Sequence, residues 1–528
     1  MEKWLSRANR RISLPSAAAL LIAASLIGLI LGFVRTQIIN GSFNYGTNVA
    51  TDPYFAAFKI PDFFFYTIAA GALGVAFMPF LMDRLQKGDR KTVWHLTSSL
   101  LNLLSALMVI VGFALLLFPG FFIRIVIGHN LGPHETHQAI VIMRLIAFNP
   151  LLFTISGILS ALQQTFGRFF FYALAPILYN GSIIASAYIF RGHIGLIGLG
   201  IGALCGAILQ LLFVLLGLVG MGYRWTPVIA WRSTEFKQIL RNLPPRSIDQ
   251  GIDSINSIVE TNRASTLPSG SITFYENAYT LHLAPILLIG TTIATAAFPR
   301  LNERLSQGRP DLFRRDFLRV FRAIFWIILP MAVITFFARA YLARLIYKSP
   351  EPTIALVLGF LVGAVIFRTL YAIISRYFYA QKDTRTPLYV SLFTIALNIY
   401  LAFTLSHIYG IVGLAVAQSI VATVEVFILL GIMVWRDHNL FTPEFWSDVT
   451  RSMSVTGFTV VTCYTMVKLV PLYAADKGFI TLGSKLVFIV IPTLAVHVAI
   501  SWLFALEEVQ PVIEKLRKLI FRPVRAIE

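Results

Sequence analysis

The chain is written twice. The helix exit Pro79-Phe80-Leu81-Met82-Asp83-Arg84-Leu85-Gln86-Lys87-Gly88 returns 220 positions later as Pro299-Arg300-Leu301-Asn302-Glu303-Arg304-Leu305-Ser306-Gln307-Gly308. Gly195-Leu196-Ile197-Gly198-Leu199 returns after 215 positions as Gly410-Ile411-Val412-Gly413-Leu414, and the pair Gln164 and Arg168 returns after 217 as Gln381 and Arg385. A unit of about 215–220 residues is far longer than one solenoid repeat, and each copy holds several apolar stretches. Duplication of a multi-span unit predicts a two-lobed transporter with its substrate site between the lobes.

Hydrophobic residues make up 57% of the 528 and charged residues 13%, against roughly 45–50% and 25% in soluble domains. The stretches 16–40, 53–82, 93–118, 138–165, 169–190, 195–221, 236–262, 272–299, 318–346, 353–381, 387–407, 411–435, 452–474 and 480–506 approach or exceed the ~20 residues that cross a bilayer as helix. The expected fold is therefore an all-α polytopic membrane protein of about fourteen transmembrane helices. Residues 1–222 form an N-lobe of spans one to six and 223–440 a C-lobe of spans seven to twelve, related by pseudo-two-fold symmetry. Residues 441–506 add a helix pair without counterpart in the repeat, and 507–528 a basic amphipathic tail. In that tail Val512, Ile513, Leu516, Leu519 and Ile520 fall at helical spacing among Lys515, Arg517, Lys518, Arg522 and Arg525, a pattern suited either to an anionic leaflet or to a solvated tail.

The net charge of +19 is a topology signal rather than a nucleic-acid footprint. With the N-terminus in the cytoplasm, most of the 44 Lys and Arg residues fall in inside loops and tails, whereas Arg124, Arg191, Arg263, Arg339, Arg344, Lys348, Lys468 and Lys477 fall outside. The positive-inside bias thus places both termini in the cytoplasm. The basic residues ahead of the first apolar run lack a cleavage site after it and read as the flank of a retained helix. Cys205 and Cys463, both within apolar stretches, exclude a disulfide framework or thiolate metal site.

Polar residues inside the apolar stretches point to function. Arg246, Asp249, Asp253, Asn256, Glu260 and Arg263 recur at steps of three and four, on one face of the seventh span. A charge at the bilayer centre costs about 2.5–3.5 kcal/mol or more, so this stripe either lines water or pairs internally. Pro244-Pro245 ahead of it would deform the helix start and supply a gating bend. Arg35 and Lys59 suit phosphate, as a planar fork and a point charge, or form ion pairs with Asp52 and Asp62. Asp52, followed by Pro53, suits an N-cap as well as a substrate contact. Arg144, Glu276, His282, Arg368 and Glu425 are candidates for hydrogen bonds inside the bundle. No nucleotide loop, catalytic triad or zinc spacing occurs, which leaves no enzyme signature and no cofactor. Transport energy would come from a Na+ or H+ gradient or the membrane potential.

Several motifs resemble the MurJ (MviN) lipid II flippase family of the multidrug/oligosaccharidyl-lipid/polysaccharide exporter superfamily. They are Leu31-Gly32-Phe33-Val34-Arg35; Ala50-Thr51-Asp52-Pro53-Tyr54-Phe55-Ala56-Ala57-Phe58-Lys59-Ile60-Pro61; Gly167-Arg168-Phe169 with Ala175-Pro176-Ile177-Leu178-Tyr179-Asn180; Ala294-Thr295-Ala296-Ala297-Phe298-Pro299-Arg300-Leu301; and Arg376-Tyr377-Phe378-Tyr379-Ala380-Gln381-Lys382-Asp383-Thr384-Arg385-Thr386-Pro387. The resemblance implies a bundle in the bacterial cytoplasmic membrane that moves an undecaprenyl-pyrophosphate-linked muropeptide across the bilayer by alternating access. It places Arg35, Asp52 and Lys59 on functional positions, while Phe65, Ala70 and Thr280 stand where the family carries charges. The substrate-contact set is Arg35, Asp52, Lys59, Asp249, Asp253, Asn256, Glu260 and Arg263, with Asp253 and Asn398 as a possible ion site. Implied partners are lipid II, the bilayer and cell-wall synthesis proteins. A flippase for another polyprenyl-linked glycan, a cation-coupled drug exporter and a non-transporting scaffold remain alternatives.

Overall fold

The structure, a computed structural model, describes residues 14–43, 51–70, 77–128, 130–347 and 351–520, the side chains of 14–19, 21–22, 70, 242, 244–250 and 516–520 excepted. Every regular element among them is a helix. Eleven helical runs are long and apolar enough to cross a membrane. Helices also occupy the other three expected spans: the second adjoins the undescribed 71–76, the seventh is rich in charge, and the thirteenth carries many hydroxyls and charged ends. By contacts the chain divides into two compact units, residues 1–273 and 274–528.

The first unit contains α1 (Leu14–Phe43), α2 (Asp52–Phe64) running into a π-helical turn (Phe65–Ala70), α3 (Met78–Gln86), α4 (Arg90–Leu117), α5 (Pro119–Ile127), α6 (Pro133–Leu145), α7 (Asn149–Thr165), α8 (Phe170–Phe190), α9 (Ile197–Leu216) and α10 (Thr234–Ser265). Its core gathers Phe77, Leu81, Leu96, Leu100, Leu162, Phe236 and Ile239. A Cβ on Gly206 of α9 would lie 3.0 Å from the Tyr179 ring of α8, so the small residue sets how closely these two helices approach. The seventh expected span, α10, packs on α2, the π-turn and α5, so the compact unit takes in one helix beyond the first repeat copy. It starts at Thr234, where Ser233 caps the Phe236 N–H, and runs unbroken through Pro244-Pro245. The prolines therefore lie inside the helix rather than at its start, because Phe236 and Ile239, held in the core, begin it about two turns upstream.

The second unit takes up α11 (Ser271–Pro285) from Phe274 onward, then a π-helical turn (Ile286–Thr291), α12 (Thr292–Ser306), α13 (Pro310–Phe337), α14 (Arg339–Ile346), α15 (Pro352–Ala380), α16 (Arg385–Tyr409), α17 (Ile411–Arg436), α18 (Pro443–Leu469), α19 (Phe479–Leu503) and α20 (Gln510–Ile520). Its core collects Phe313, Phe317, Phe321, Ile373, Tyr377, Phe378 and Met433. The added pair α18 and α19 packs together and against α13, joined by a Thr459–His497 hydrogen bond of 2.8 Å and a Trp326–Ser501 bond of 2.8 Å. Val512 and Ile513 of α20 pack beside Trp326, Val455, Leu506 and Val509; residues 521–528 of the expected tail lie outside the described part.

The sequence repeat is also a repeat of backbone geometry. Gly88 and Gly308 close the same turn with φ of 77° and 67°, and Gly195 and Gly410 share φ of 60°. The π-turns begin at Phe65 and Ile286, 221 positions apart. At the α7–α8 and α15–α16 joints, Gly167 and Lys382 both take positive φ, and the Arg168 and Asp383 N–H groups each reach the carbonyl five residues back. This joint repeats at 215, not at the 217 suggested by the Gln and Arg residues.

Matched positions at this joint carry opposite charge. Arg168 donates to the carbonyls of Gly217, Val219 and Gly220 beyond the end of α9. Asp383 instead accepts from Arg436 at the end of α17, at 2.7 Å, and from the N–H groups of Arg385 and Thr386 that open α16. Burial raises the Asp383 pKa, but the Thr386 and Arg436 hydrogen bonds outweigh it and hold the group at about 2, below 3.8. Because the folded value is depressed, the stabilisation is complete above pH 3.8 and disappears as pH falls through about 2. Asp383→Ala should cost about 0.5–2 kcal/mol, the value of a lost helix cap. Thermal unfolding in detergent should show the difference from the wild-type chain shrinking between pH 4 and pH 2, and Arg436→Met combined with Asp383→Ala should cost less than the sum of the two.

Candidate functional site

Within the first unit, Arg35 of α1 and Asp62 of α2 act on a shared set of tyrosines, and Lys59 of α2 meets α10. Arg35, half-buried on α1, lies close enough to Tyr54, Tyr179 and Tyr66 for its charge to act on all three, as does Asp62 of α2. The Arg35 Nε is buried and has no hydrogen-bond partner among the described residues. Lys59, two turns into α2, donates to the Ser257 hydroxyl of α10 at 2.7 Å. A guanidinium, an ammonium and several tyrosines on adjoining helices offer the donors that phosphate oxygens accept.

Asp52 is placed differently from the expected cap of its own helix. Thr51 is the N-cap of α2, without a side-chain cap bond, and Asp52 is the first helical residue. The Asp52 carboxylate, 2% exposed, instead accepts the Gly270 N–H at 2.9 Å, the Thr273 N–H at 2.8 Å and the Thr273 hydroxyl. It thereby holds the turn that opens α11. Asp52→Ala should orphan buried donors worth about 1–3 kcal/mol each, seen as a fall in unfolding temperature; Asp52→Asn, which keeps one acceptor, should lose less.

The six-residue stripe of α10 does not share one environment. Asp253 is exposed, Asn256 and Glu260 are buried, and Arg263 is half-buried; the side chains of Arg246 and Asp249 lie outside the described part. Gly251 sits against the π-turn, where a Cβ would lie 2.8 Å from the Thr67 hydroxyl. Asn398, the other half of the expected ion site, is buried on α16 of the second unit, and no cluster of three or more His, Cys, Asp or Glu occurs among the described residues.

Of the isolated polar residues, Arg144 is exposed on α6. Arg368 and Glu425 form a buried pair at 3.1 Å, in which Glu425 also accepts from Ser391 at 2.9 Å. His282 shares its Nδ1 with the Tyr279 carbonyl at 2.8 Å. Thr280, where the family resemblance implies an arginine, is exposed and donates to the Glu276 carbonyl at 2.9 Å. Ser257 and the tyrosines near Arg35 are neighbours that sequence reasoning missed. Tyr179 lay within a quoted motif, but only the fold brings it to Arg35.

These helices have the fold shared by lipid-flippase and multidrug transporters. A lipid II flippase MurJ in an inward closed conformation superposes with a TM-score of 0.75 at 20% identity, covering 92% of this chain and 98% of that one. An inward-facing multidrug resistance MATE transporter of the MOP superfamily superposes at 0.66 with 17% identity, covering 80% and 98%. The family described as "Lipid II flippase MurJ" matches residues 43–483. The "Probable lipid II flippase MurJ" of Borreliella burgdorferi is 25% identical over 84% of this chain and 88% of its own length, and that of Haemophilus influenzae is 28% identical over 77% and 83%. The chain belongs to the lipid II flippase MurJ family and is a multi-pass membrane protein.

The split stripe leads to a labelling pattern. With Cys205 and Cys463 replaced, a cysteine at position 253 should react with a water-soluble thiol reagent at least about tenfold faster than one at 256 or 260, because a buried thiol must wait for local opening. Equal rates at all three positions would contradict this placement.

Proposed function

We propose that this chain carries lipid II from the inner to the outer leaflet of the bacterial cytoplasmic membrane by alternating access, without covalent chemistry. Support comes from the family match over residues 43–483 together with the half-buried Arg35, whose Nε lacks a partner on a face rich in hydroxyl donors. In this reading Arg35 and Lys59 hold the pyrophosphate, Arg35 through parallel hydrogen bonds and Lys59 by exchanging its Ser257 contact for a phosphate oxygen. Asp52 positions the start of α11, while Asp253 offers a charge that solvent or substrate can reach. Asp249, Asn256, Glu260 and Arg263 complete the proposed contact set. Binding drives the cycle only as far as it favours one state over the other. The membrane potential, or a Na+ or H+ gradient, supplies direction. Both termini then face the cytoplasm, in accord with the distribution of Lys and Arg.

Expression of the full chain in a bacterium depleted of its own MurJ should restore growth and cell shape, and the purified chain should bind lipid II. Arg35→Ala should abolish rescue at unchanged membrane abundance, and Arg35→Lys should restore only part of it, since an ammonium lacks the planar fork. Full rescue by Arg35→Ala would reduce Arg35 to a structural residue; absence of both rescue and binding in the wild-type chain would overturn the flippase reading.

A further inference from the structure

A cleft of about 460 Å³ opens in the second unit between the starts of α13 and α18 and the turn before α20. It is lined by Arg315, Arg319, Arg322, Glu444, Ser447, Asp448, Arg451 and Glu507. Its floor is an ion-pair cluster: Arg322, only 17% exposed, pairs with Asp448, with Glu507 at 3.1 Å and with Glu508 at 3.2 Å, and Arg451 lies 4.0 Å from Asp448. The rim is different. Arg315 and Arg319 stand one turn apart on α13, both exposed, and neither has an ion-pair partner among the described residues. Across the opening, Glu444 is exposed and Glu507 keeps 69% of its side chain open despite its contact with Arg322.

The surroundings place this cleft at the level of lipid headgroups. Beyond Arg322, α13 continues as the apolar run Ala323-Ile324-Phe325-Trp326-Ile327-Ile328-Leu329, and beyond Arg451, α18 enters its own membrane-length stretch. Trp446, beside Ser447, is 58% exposed, as interfacial tryptophans are. Next to the cleft, the amphipathic α20 packs Val512 and Ile513 on the bundle, the disposition of a helix lying in the interface plane.

We infer that this cleft binds the headgroup of one phosphatidylethanolamine molecule. Two free guanidiniums at one rim match the phosphate, and the carboxylates of Glu444 and Glu507 at the other match the primary ammonium, which can donate three hydrogen bonds. Phosphatidylglycerol would bring a net negative charge toward these same carboxylates and offer them only neutral hydroxyl donors. Phosphatidylcholine would supply the positive charge but no N–H. The inference is independent of lipid II transport, because all these residues lie apart from Arg35 and Lys59 in the chain and in its compact units.

Native mass spectrometry of the delipidated full-length chain, titrated in turn with phosphatidylethanolamine, phosphatidylglycerol, phosphatidylcholine and inorganic phosphate, tests this. The expected result is one phosphatidylethanolamine adduct, favoured about tenfold over the other lipids. Arg315→Ala combined with Arg319→Ala should weaken it by about tenfold or more through lost charge-assisted bonds. Glu444→Gln combined with Glu507→Gln should abolish the preference over phosphatidylcholine. All four residues are exposed, and an unchanged unfolding temperature confirms that the variants are folded. Equal binding of all three lipids, a preference for phosphatidylglycerol, saturation by inorganic phosphate alone, or an adduct indifferent to both double variants would each overturn the assignment.

Discussion

Hydrocarbon offers no hydrogen-bond partner, so the polar groups this chain carries into the membrane have to be answered by other parts of the chain. That constraint organises the bundle. Asp52 of α2 answers the N–H groups that open α11, Lys59 answers Ser257 of α10, and Glu425 of α17 answers both Arg368 of α15 and Ser391 of α16. In the added pair, Thr459 answers His497. Each contact fixes one helix against another where apolar packing alone distinguishes poorly between neighbouring registers, because lipid tails are as apolar as leucine. The Arg35 Nε is one of several buried polar atoms without a hydrogen-bond partner among the described residues, and it lies beside tyrosines that share its field.

The loop joints show how duplication and divergence combine. Backbone geometry survives at Gly167 and Lys382, which take the same left-handed conformation 215 positions apart although one has a side chain. The adjacent charge has changed sign, from Arg168 to Asp383, yet the task is retained. In the first copy a guanidinium reaches carbonyls beyond a helix end; in the second a carboxylate caps one helix and receives an arginine from another. A chain can exchange donor for acceptor at such a joint provided the other side changes with it. Geometry is conserved here more strictly than chemistry.

This also decides what the sequence could reveal. Apolar length located eleven of the expected spans, since an apolar run of about twenty residues has no other stable home, and the repeated Gly88 and Gly308 turns were visible as letters. The 215-residue register at the second joint was hidden because Gln164 and Arg168 resemble Gln381 and Arg385 without occupying equivalent places. The α10 stripe was legible as a helical face, but not its division into exposed Asp253 and buried Asn256 and Glu260, which depends on what packs over each position. Likewise the Asp52-Pro53 pair reads as a local cap, whereas its actual contacts lie more than two hundred residues away. Periodicity reports which residues share a face, and tertiary packing determines what covers that face.

The positions where the family resemblance implies charges have a packing explanation in part. Phe65 and Ala70 bound the first π-helical turn, a widened segment of the kind often found at functional sites. Phe65 meets Phe153 edge-on at 5.6 Å, and Phe153 in turn meets Tyr179 at 5.2 Å, so an aromatic chain extends from the π-turn toward the surroundings of Arg35. A charge at position 65 would have to be desolvated against these rings or displace them. The apolar Phe65 therefore belongs to a coherent local packing. In the proposed reading, a pyrophosphate would meet one guanidinium fork, one ammonium and tyrosine hydroxyls, and its recognition would rest on directed hydrogen bonds more than on accumulated charge.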